Sequence, residues 1–417
     1  MGCSLLEGLC ALDLTDEMGA LCGKILSDLG TEVIRVEPPA GAPTRRIPPF
    51  LEDEPGPDRS LYFIAYEAGK KSVTANLNCP DGVDLVRRLA ERADFLIESY
   101  PVGYLEERGL GYQEFARRNP RLVYTSITGF GDIGPAARYK ARDIVLWAAG
   151  GAMSLIGEAD KPPLALSLPQ AGLHAGAEAA VASLLAHHAR ARDGLGQRVV
   201  VNAQACVVWT LMNEQAMPMM HGNEPIRQGV LFRALGSERK LVFRCADGHV
   251  SALLIGGPLA PTIRAFVQWM AERGFAADWM LTKRWEDWGP AYFMSGKGWE
   301  EARELDECAQ RFFLTLTKRE LYAEALKRRL LIAPVSTVAD IAADEQLKAR
   351  GFFVEVPDEN SPQGRFIFPG PFARLSLTPI VPPRRPPRLG EHNREVYCGL
   401  LGLEPAALSR LYAQGAI

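Results

Sequence analysis

The chain predicts an α/β fold: a mostly parallel sheet with helices on both faces, accompanied by a smaller second domain of α+β character. Three observations predict it. Across residues 10–202, short apolar β-type runs alternate with helical runs, the signature of repeated βαβ units. The 417 residues are 47% apolar, ample for a large packed core. After residue 222 the pattern changes to a hairpin signal followed by helical segments rich in Trp and Arg.

Taken in order, residues 10–14 read as a strand, 17–29 as an amphipathic helix stopped by Gly30, and 33–36 as a second strand. Residues 72–77 give the next strand. A helix then opens at Pro80-Asp81, and strands follow at 95–98 and 122–128, the latter after a helix at 112–118. Residues 171–192 form a long Ala- and Gly-rich helix ended by Asp193-Gly194. Its small residues predict a deep position or a subunit contact. A strand at 198–202 follows. In the second region, runs at 241–246 and 249–254 flank Asp247-Gly248, a hairpin turn. From Ile332 the chain returns to apolar β runs and a Pro-rich connector, and it closes with a helix at 405–412. The expected division is 1–221 and 331–417 in the large domain and 222–330 in the small one.

Composition narrows the function. With 47 Lys+Arg against 50 Asp+Glu, a net −3, the chain is not one held mainly by nucleic-acid phosphates. No run reaches the roughly 18 uncharged apolar residues of a membrane span, and the start has no basic segment before an apolar one. The Met1-Gly2 opening lacks the Ser or Thr of a myristoylation signal. A cytoplasmic protein is expected. Eight cysteines without a CxxC pair fit reduced thiols, and six histidines show no metal-binding spacing.

Gly129-Phe130-Gly131-Asp132-Ile133-Gly134 spells GxGxxG after a strand. A dinucleotide site needs a helix to begin inside that motif and an acid at the end of the next strand. Pro135 follows at once and no such acid is found. The loop is either a glycine turn or a close backbone approach to a ligand. Arg35, Arg45, Arg46, Lys70, Lys71 and Lys140 sit near strand ends, where an α/β sheet opens its crevice. Singly each reads as a surface charge, and jointly they favour a phosphorylated ligand. No GxSxG elbow, phosphate-binding P-loop or paired-carboxylate motif is present.

Larger blocks carry a resemblance. Leu12-Asp13-Leu14-Thr15, Gly30-Thr31-Glu32-Val33-Ile34-Arg35-Val36-Glu37-Pro38, Gly69-Lys70-Lys71-Ser72, Ala93-Asp94-Phe95-Leu96-Ile97-Glu98, Gly129-Phe130-Gly131 with Gly134-Pro135, Ala333-Pro334-Val335 and Arg388-Leu389-Gly390-Glu391-His392 occur in the order found in class III CoA-transferases. The chain resembles that family, which includes formyl-CoA transferase, carnitine CoA-transferase and α-methylacyl-CoA racemase, over nearly its whole length. The resemblance implies a Rossmann-like large domain built from both chain ends, a small domain between them, and two interlocked subunits. It also implies covalent catalysis, in which an aspartate attacks an acyl-CoA thioester and passes through an anhydride and an aspartyl thioester.

The family's aspartate stands four residues before the Gly that opens the Ala-rich helix. Here that Gly is Gly172 and the position holds Leu168, which cannot be acylated. The nearest acids in sequence are Asp160 and Glu178, the latter expected to be buried in the helix. By resemblance, no residue of this chain is catalytic. The CoA-contacting positions carry over onto Met18, Pro38, Lys71, Ser99, Tyr100 and Lys140, with Gly129, Phe130 and Gly131 beside the reacting carbonyl. Family patterns are altered at Ser99-Tyr100-Pro101 and at Glu67-Ala68. No permanent cofactor or metal is implied. CoA or succinyl-CoA is substrate, here or only in a partner: a paralogous subunit that carries the nucleophile. Dicarboxylic acids are the acceptors. An active homodimeric acyl-CoA transferase or racemase with an unusual nucleophile and a non-enzymatic CoA-binding scaffold are the alternatives.

Overall fold

The computed structural model describes residues 4–417 apart from 216, 223, 235, 236, 296 and 297, so the Met1-Gly2 opening lies outside the described residues. The chain forms two compact units. The first comprises Met1–Met153, Ala165–Asn223 and Gln346–Ile417, and the second Ser154–Leu164 and Glu224–Glu345.

The first unit is built on six strands: β1 (Cys10–Leu14), β2 (Glu32–Glu37), β3 (Lys71–Thr74), β4 (Phe95–Glu98), β5 (Val123–Thr128) and β6 (Arg198–Asn202). They lie in the order β3-β2-β1-β4-β5-β6, and every pairing is parallel. This is the doubly wound dinucleotide-fold order, in which the winding reverses between β1 and β4. The helices of this unit include α1 (Ala20–Asp28), α2 (Leu61–Tyr66), α3 (Pro80–Ala90), α4 (Tyr112–Arg118), α5 (Asp143–Ala149), α6 (Ala171–Asp193) and α7 (Ala203–Trp209), and a further helix, Pro405–Ala413, lies near the chain's end. All residues of β4 and β5 are buried, as central parallel strands covered on both faces require.

Alternate strand residues enter two separate cores. Ala11, Val33, Phe95, Ile97 and Val123 meet α1 and α6 on one face. Leu12, Ile34, Leu96 and Tyr124 meet α3, α4 and the C-terminal segment on the other. Pro80 and Asp81 suit the first turn of α3, and Gly194, at φ +78°, closes α6 in the left-handed conformation. The chain's end covers the sheet edge. Asn393 Oδ1 accepts from Thr74 N at 2.8 Å, the Tyr397 hydroxyl donates to Thr74 O at 2.7 Å, and Asn76 N donates to Ala416 O at 2.8 Å.

The second unit has its own aromatic core, including Phe243, Phe266, Trp269, Trp285, Trp288, Phe312 and Phe313. Its hairpin pairs Val242–Cys245 with Gly248–Ala252, and Ile332–Pro334 adds a third antiparallel strand. That pairing keeps residues 331–345 in the second unit, and the chain returns to the first at Gln346.

Candidate functional site

Where winding reverses, the loops leaving β1 and β4 diverge and open a crevice beyond the carboxyl ends of the strands. A cavity of about 660 Å³ lies there, in the size range of small-ligand sites. Its walls come from the loop after β1 (Asp16, Glu17, Met18), from Pro43, Thr44 and Ile47 after β2, from Ser99–Val102 after β4, from Thr128 and Gly129 at the end of β5, and from residues 137–142.

Short polar contacts shape the two main walls. Asp13 Oδ1 accepts from Thr15 N at 3.0 Å and from Thr15 Oγ1 at 2.7 Å, which turns the chain out of β1. Asp16 Oδ1 accepts from Met18 N at 2.9 Å and from Ser99 Oγ at 2.7 Å, and Asp16 N donates to Ser99 Oγ at 2.7 Å. Ser99 therefore ties the β4 loop to the β1 loop across the reversal point. On the β4 side, Tyr100 N donates to Glu98 Oε2 at 2.8 Å. Burial pushes the Glu98 carboxyl up to about 7 and the Tyr100 phenol up to about 12.

The structure brings Met18, Ser99, Tyr100, Gly129 and Lys140 to this one cavity, while Pro38, Lys71, Phe130 and Gly131 are not among its lining residues. Phe130 meets Tyr139, a lining residue, edge to face at 6.4 Å. Gly131 N donates to Thr128 Oγ1 at 3.0 Å with φ at +90°, and a side chain at Gly129 would place its Cβ 2.2 Å from that of Ala141. No helix opens between Gly129 and Arg142, so these residues form a return loop along the crevice rather than a dinucleotide motif. Arg138, Lys140 and Arg142 gather on that loop, all exposed, with Arg142 Nη1 3.3 Å from Glu17 Oε1.

The expected gathering of phosphate-binding cations is corrected for most of its members. Arg35, Arg45 and Lys70 are buried and paired beneath the crevice. Lys70 Nζ lies 2.7 Å from Asp13 Oδ2 and 2.6 Å from Glu67 Oε2, and Arg35 Nη1 lies 3.0 Å from Asp13 Oδ1. Burial raises the Asp13 carboxyl, but Lys70 and Arg35 outweigh it and hold the group down at about 2. For Glu67 burial prevails and its carboxyl is raised. Arg45 spans Glu37 and Asp58, at 2.6 Å from each. Lys71 pairs with Glu32 at 2.5 Å and Glu395 at 2.8 Å, and Arg46 donates to Ala40 O at 3.3 Å. Of the six, only Lys140 lines the cavity.

Helix α6 begins beside the crevice. A Cβ at Gly172 would stand 2.8 Å from Glu17 O and 3.1 Å from Met18 Cα, so the glycine permits close packing against two lining residues. Asp143, next to the lining Arg142, accepts from Gln170 N and Ala171 N through Oδ1, each at 2.7 Å. Sequence reasoning missed this acid because 27 residues separate the carboxyl from the helix end that it caps. Glu178 is exposed on α6 rather than buried: position 178 falls on the outer face, while Ala175, Ala179 and Ala180 face the core. Leu168, four residues before Gly172, is 69% exposed and carries no group able to accept an acyl chain.

The comparisons with known proteins agree with this architecture. Residues 6–393 match CoA-transferase family III. The chain is 34% identical to the succinyl-CoA:(R)-benzylsuccinate CoA-transferase subunit BbsE of Thauera aromatica, over 96% of each chain. It is 29% identical to the succinate–glutarate CoA-transferase of Agrobacterium fabrum, over 96% of this chain and 97% of that protein. A crystal structure of a CaiB/BaiF family protein from Brucella suis superposes with a TM-score of 0.80 at 28% identity, covering 96% of this chain and 100% of that one. A six-stranded parallel sheet in doubly wound order, a crevice at its reversal point and matches of this length lead to one conclusion: the chain belongs to CoA-transferase family III.

Proposed function

We propose that this chain is the aspartate-lacking subunit of a heteromeric class III CoA-transferase, and that a paralogous subunit supplies the nucleophile. The single observation that carries the reading is Leu168: an exposed aliphatic side chain occupies the position to which the resemblance assigns the family's aspartate. Asp143, the acid nearest in space to that helix start among those described above, has an oxygen already occupied by two backbone N–H groups. The reading assigns no catalytic residue to this chain. Met18, Ser99, Tyr100 and Lys140, with the glycine loop at 129–131, would contribute to a CoA thioester site.

Two further observations support a second subunit of the same fold, interlocked with this one. Helix α6 is apolar around much of its circumference, a pattern that belongs to a covered helix. Val181 and Leu185, one turn apart, are nevertheless 54% and 64% exposed on its outer side. The relative BbsE is by its name a subunit of an enzyme acting on succinyl-CoA and (R)-benzylsuccinate. The same exchange, in anaerobic toluene degradation, is the reading favoured here. The stretch Met212-Asn213-Glu214-Gln215-Ala216-Met217-Pro218 shares that resemblance, with Ala216 outside the described residues.

The experiment is to express the chain alone and together with a paralogue carrying the aspartate, and to follow CoA transfer from succinyl-CoA to dicarboxylic acids by chromatography. Transfer is expected only from the pair. Turnover by the isolated chain would sink the reading, and failure of any such paralogue to co-purify would favour a scaffold.

A further inference from the structure

The second unit holds a cavity of its own, of about 690 Å³, in the size range of small-ligand sites. One wall is the helix Trp299–Phe313. Its lining residues Trp299, Ala302, Arg303, Asp306, Glu307 and Arg311 recur every three or four positions and so form a single stripe along the helix. The other wall belongs to a hairpin in which Leu231–Ala234 pairs with Ser237–Lys240. Leu231 and Lys240 are directly opposed in that pairing, which brings an apolar side chain and a cation together at the cavity. None of these residues lines the crevice of the first unit.

The lining is apolar at Leu231, Trp299 and Ala302 and cationic at Lys240, Arg303 and Arg311, and its two acids do not balance the cations. Asp306 Oδ1 lies 2.6 Å from Nη2 of Arg239, whose side chain is only 2% exposed, and Asp306 Oδ2 accepts from Lys240 N at 3.3 Å. Asp306 is thus neutralised from behind the wall. Among the described residues, Arg239 Nε and Nη1 have no hydrogen-bond partner, so one carboxylate leaves this buried guanidinium short of acceptors and its charge adds to the positive potential of the cavity. Lys240 Nζ donates to Gln310 Oε1 at 2.9 Å, which holds the ammonium at the wall. Arg303 and Glu307, four residues apart and both exposed, form no ion pair with each other or with any other described residue. Glu307 is therefore the one lining acid left to oppose three cations. We propose that this cavity is a binding site for a small organic anion, a carboxylate carried on an apolar body. The cations take the carboxylate, while Leu231, Trp299 and Ala302 cover the body. The inference stands on the second unit alone and does not need the crevice to bind CoA.

The probe is 3-phenylpropionate, titrated into the purified chain and followed by ligand-detected NMR, with 3-phenylpropanol and propionate as the analogues that lack the charge and the ring. Each analogue should bind about ten-fold more weakly than the probe. Arg303→Gln and Arg311→Gln should each weaken 3-phenylpropionate about three-fold and together about ten-fold, as expected for exposed charge pairs. Glu307→Gln should tighten it about two-fold, a gain that general damage to the fold would not produce. Lys140→Gln, in the crevice, should leave the affinity unchanged. Near-UV circular dichroism of each variant confirms that it is folded. No binding of 3-phenylpropionate, equal binding of 3-phenylpropanol, unchanged affinity in the double arginine variant, no gain in Glu307→Gln, or a loss in Lys140→Gln as large as in the arginine variants would overturn the site.

Discussion

Glu98 offers a test of the crevice wall that needs no ligand. Its carboxyl is buried at the end of β4, holds Tyr100 N through Oε2 at 2.8 Å, and is pushed up from an ordinary 4.5 to about 7 by loss of hydration. In the unfolded chain the same group ionises near its ordinary value. Between pH 4.5 and about 7 the folded state thus holds a proton that the unfolded state has released, and stability falls as pH rises through that window. The displacement corresponds to about 3 kcal/mol once ionisation is complete, fully present below the lower value and lost above the upper one. Glu98→Gln keeps an oxygen for Tyr100 N and removes the titration. Urea denaturation of both proteins at pH 5 and pH 8 isolates the effect, because every other group is shared. The wild type should lose about 2.5 kcal/mol more than Glu98→Gln between the two conditions, since part of the displacement is already lost at pH 5. Parallel losses would refute the reasoning.

Three more expectations concern what holds the crevice in place. Lys70→Met removes a buried cation from between Asp13 and Glu67 and should cost about 3–5 kcal/mol by denaturant titration, with Arg35 left as the partner of Asp13. Asp143→Ala uncovers two N–H groups at the start of α6 and should cost about 1 kcal/mol, visible as a lower Tm, with Asn at that position recovering part of the loss. Gly172→Ala drives a methyl group toward the backbone of Glu17 and should cost about 1–3 kcal/mol; an unchanged Tm would mean that α6 and the β1 loop are not in contact.

The sheet was legible because burial writes itself into composition. Phe95-Leu96-Ile97 and the run through β5 are apolar or small at nearly every position, as strands covered on both faces must be, and Pro80 and Gly194 mark helix ends by their own backbone chemistry. The charges were less legible. Arg35, Arg45 and Lys70 look like surface cations until their carboxylates arrive: Asp13 from β1, Glu37 from β2 and Glu67 from the turn before β3. A strand alternation signal says which face a residue takes, not whether a counter-ion waits there. The same gap hid Asp143 as the cap of α6 and Ile332–Pro334 as a strand of the second unit, since both depend on pairing between segments far apart in sequence. At the crevice, Met18, Ser99, Tyr100, Gly129 and Lys140 were found through resemblance, while Asp16, Thr44, Arg138 and Arg142 entered only through geometry.

The most direct test of the central claim is to find which polypeptide becomes acylated. The chain and an aspartate-bearing paralogue are incubated together with succinyl-CoA, quenched with hydroxylamine, and each subunit is weighed intact by mass spectrometry. The account predicts a hydroxamate on the paralogue and none on this chain, whose position 168 is leucine. A hydroxamate on any acid of this chain would contradict it.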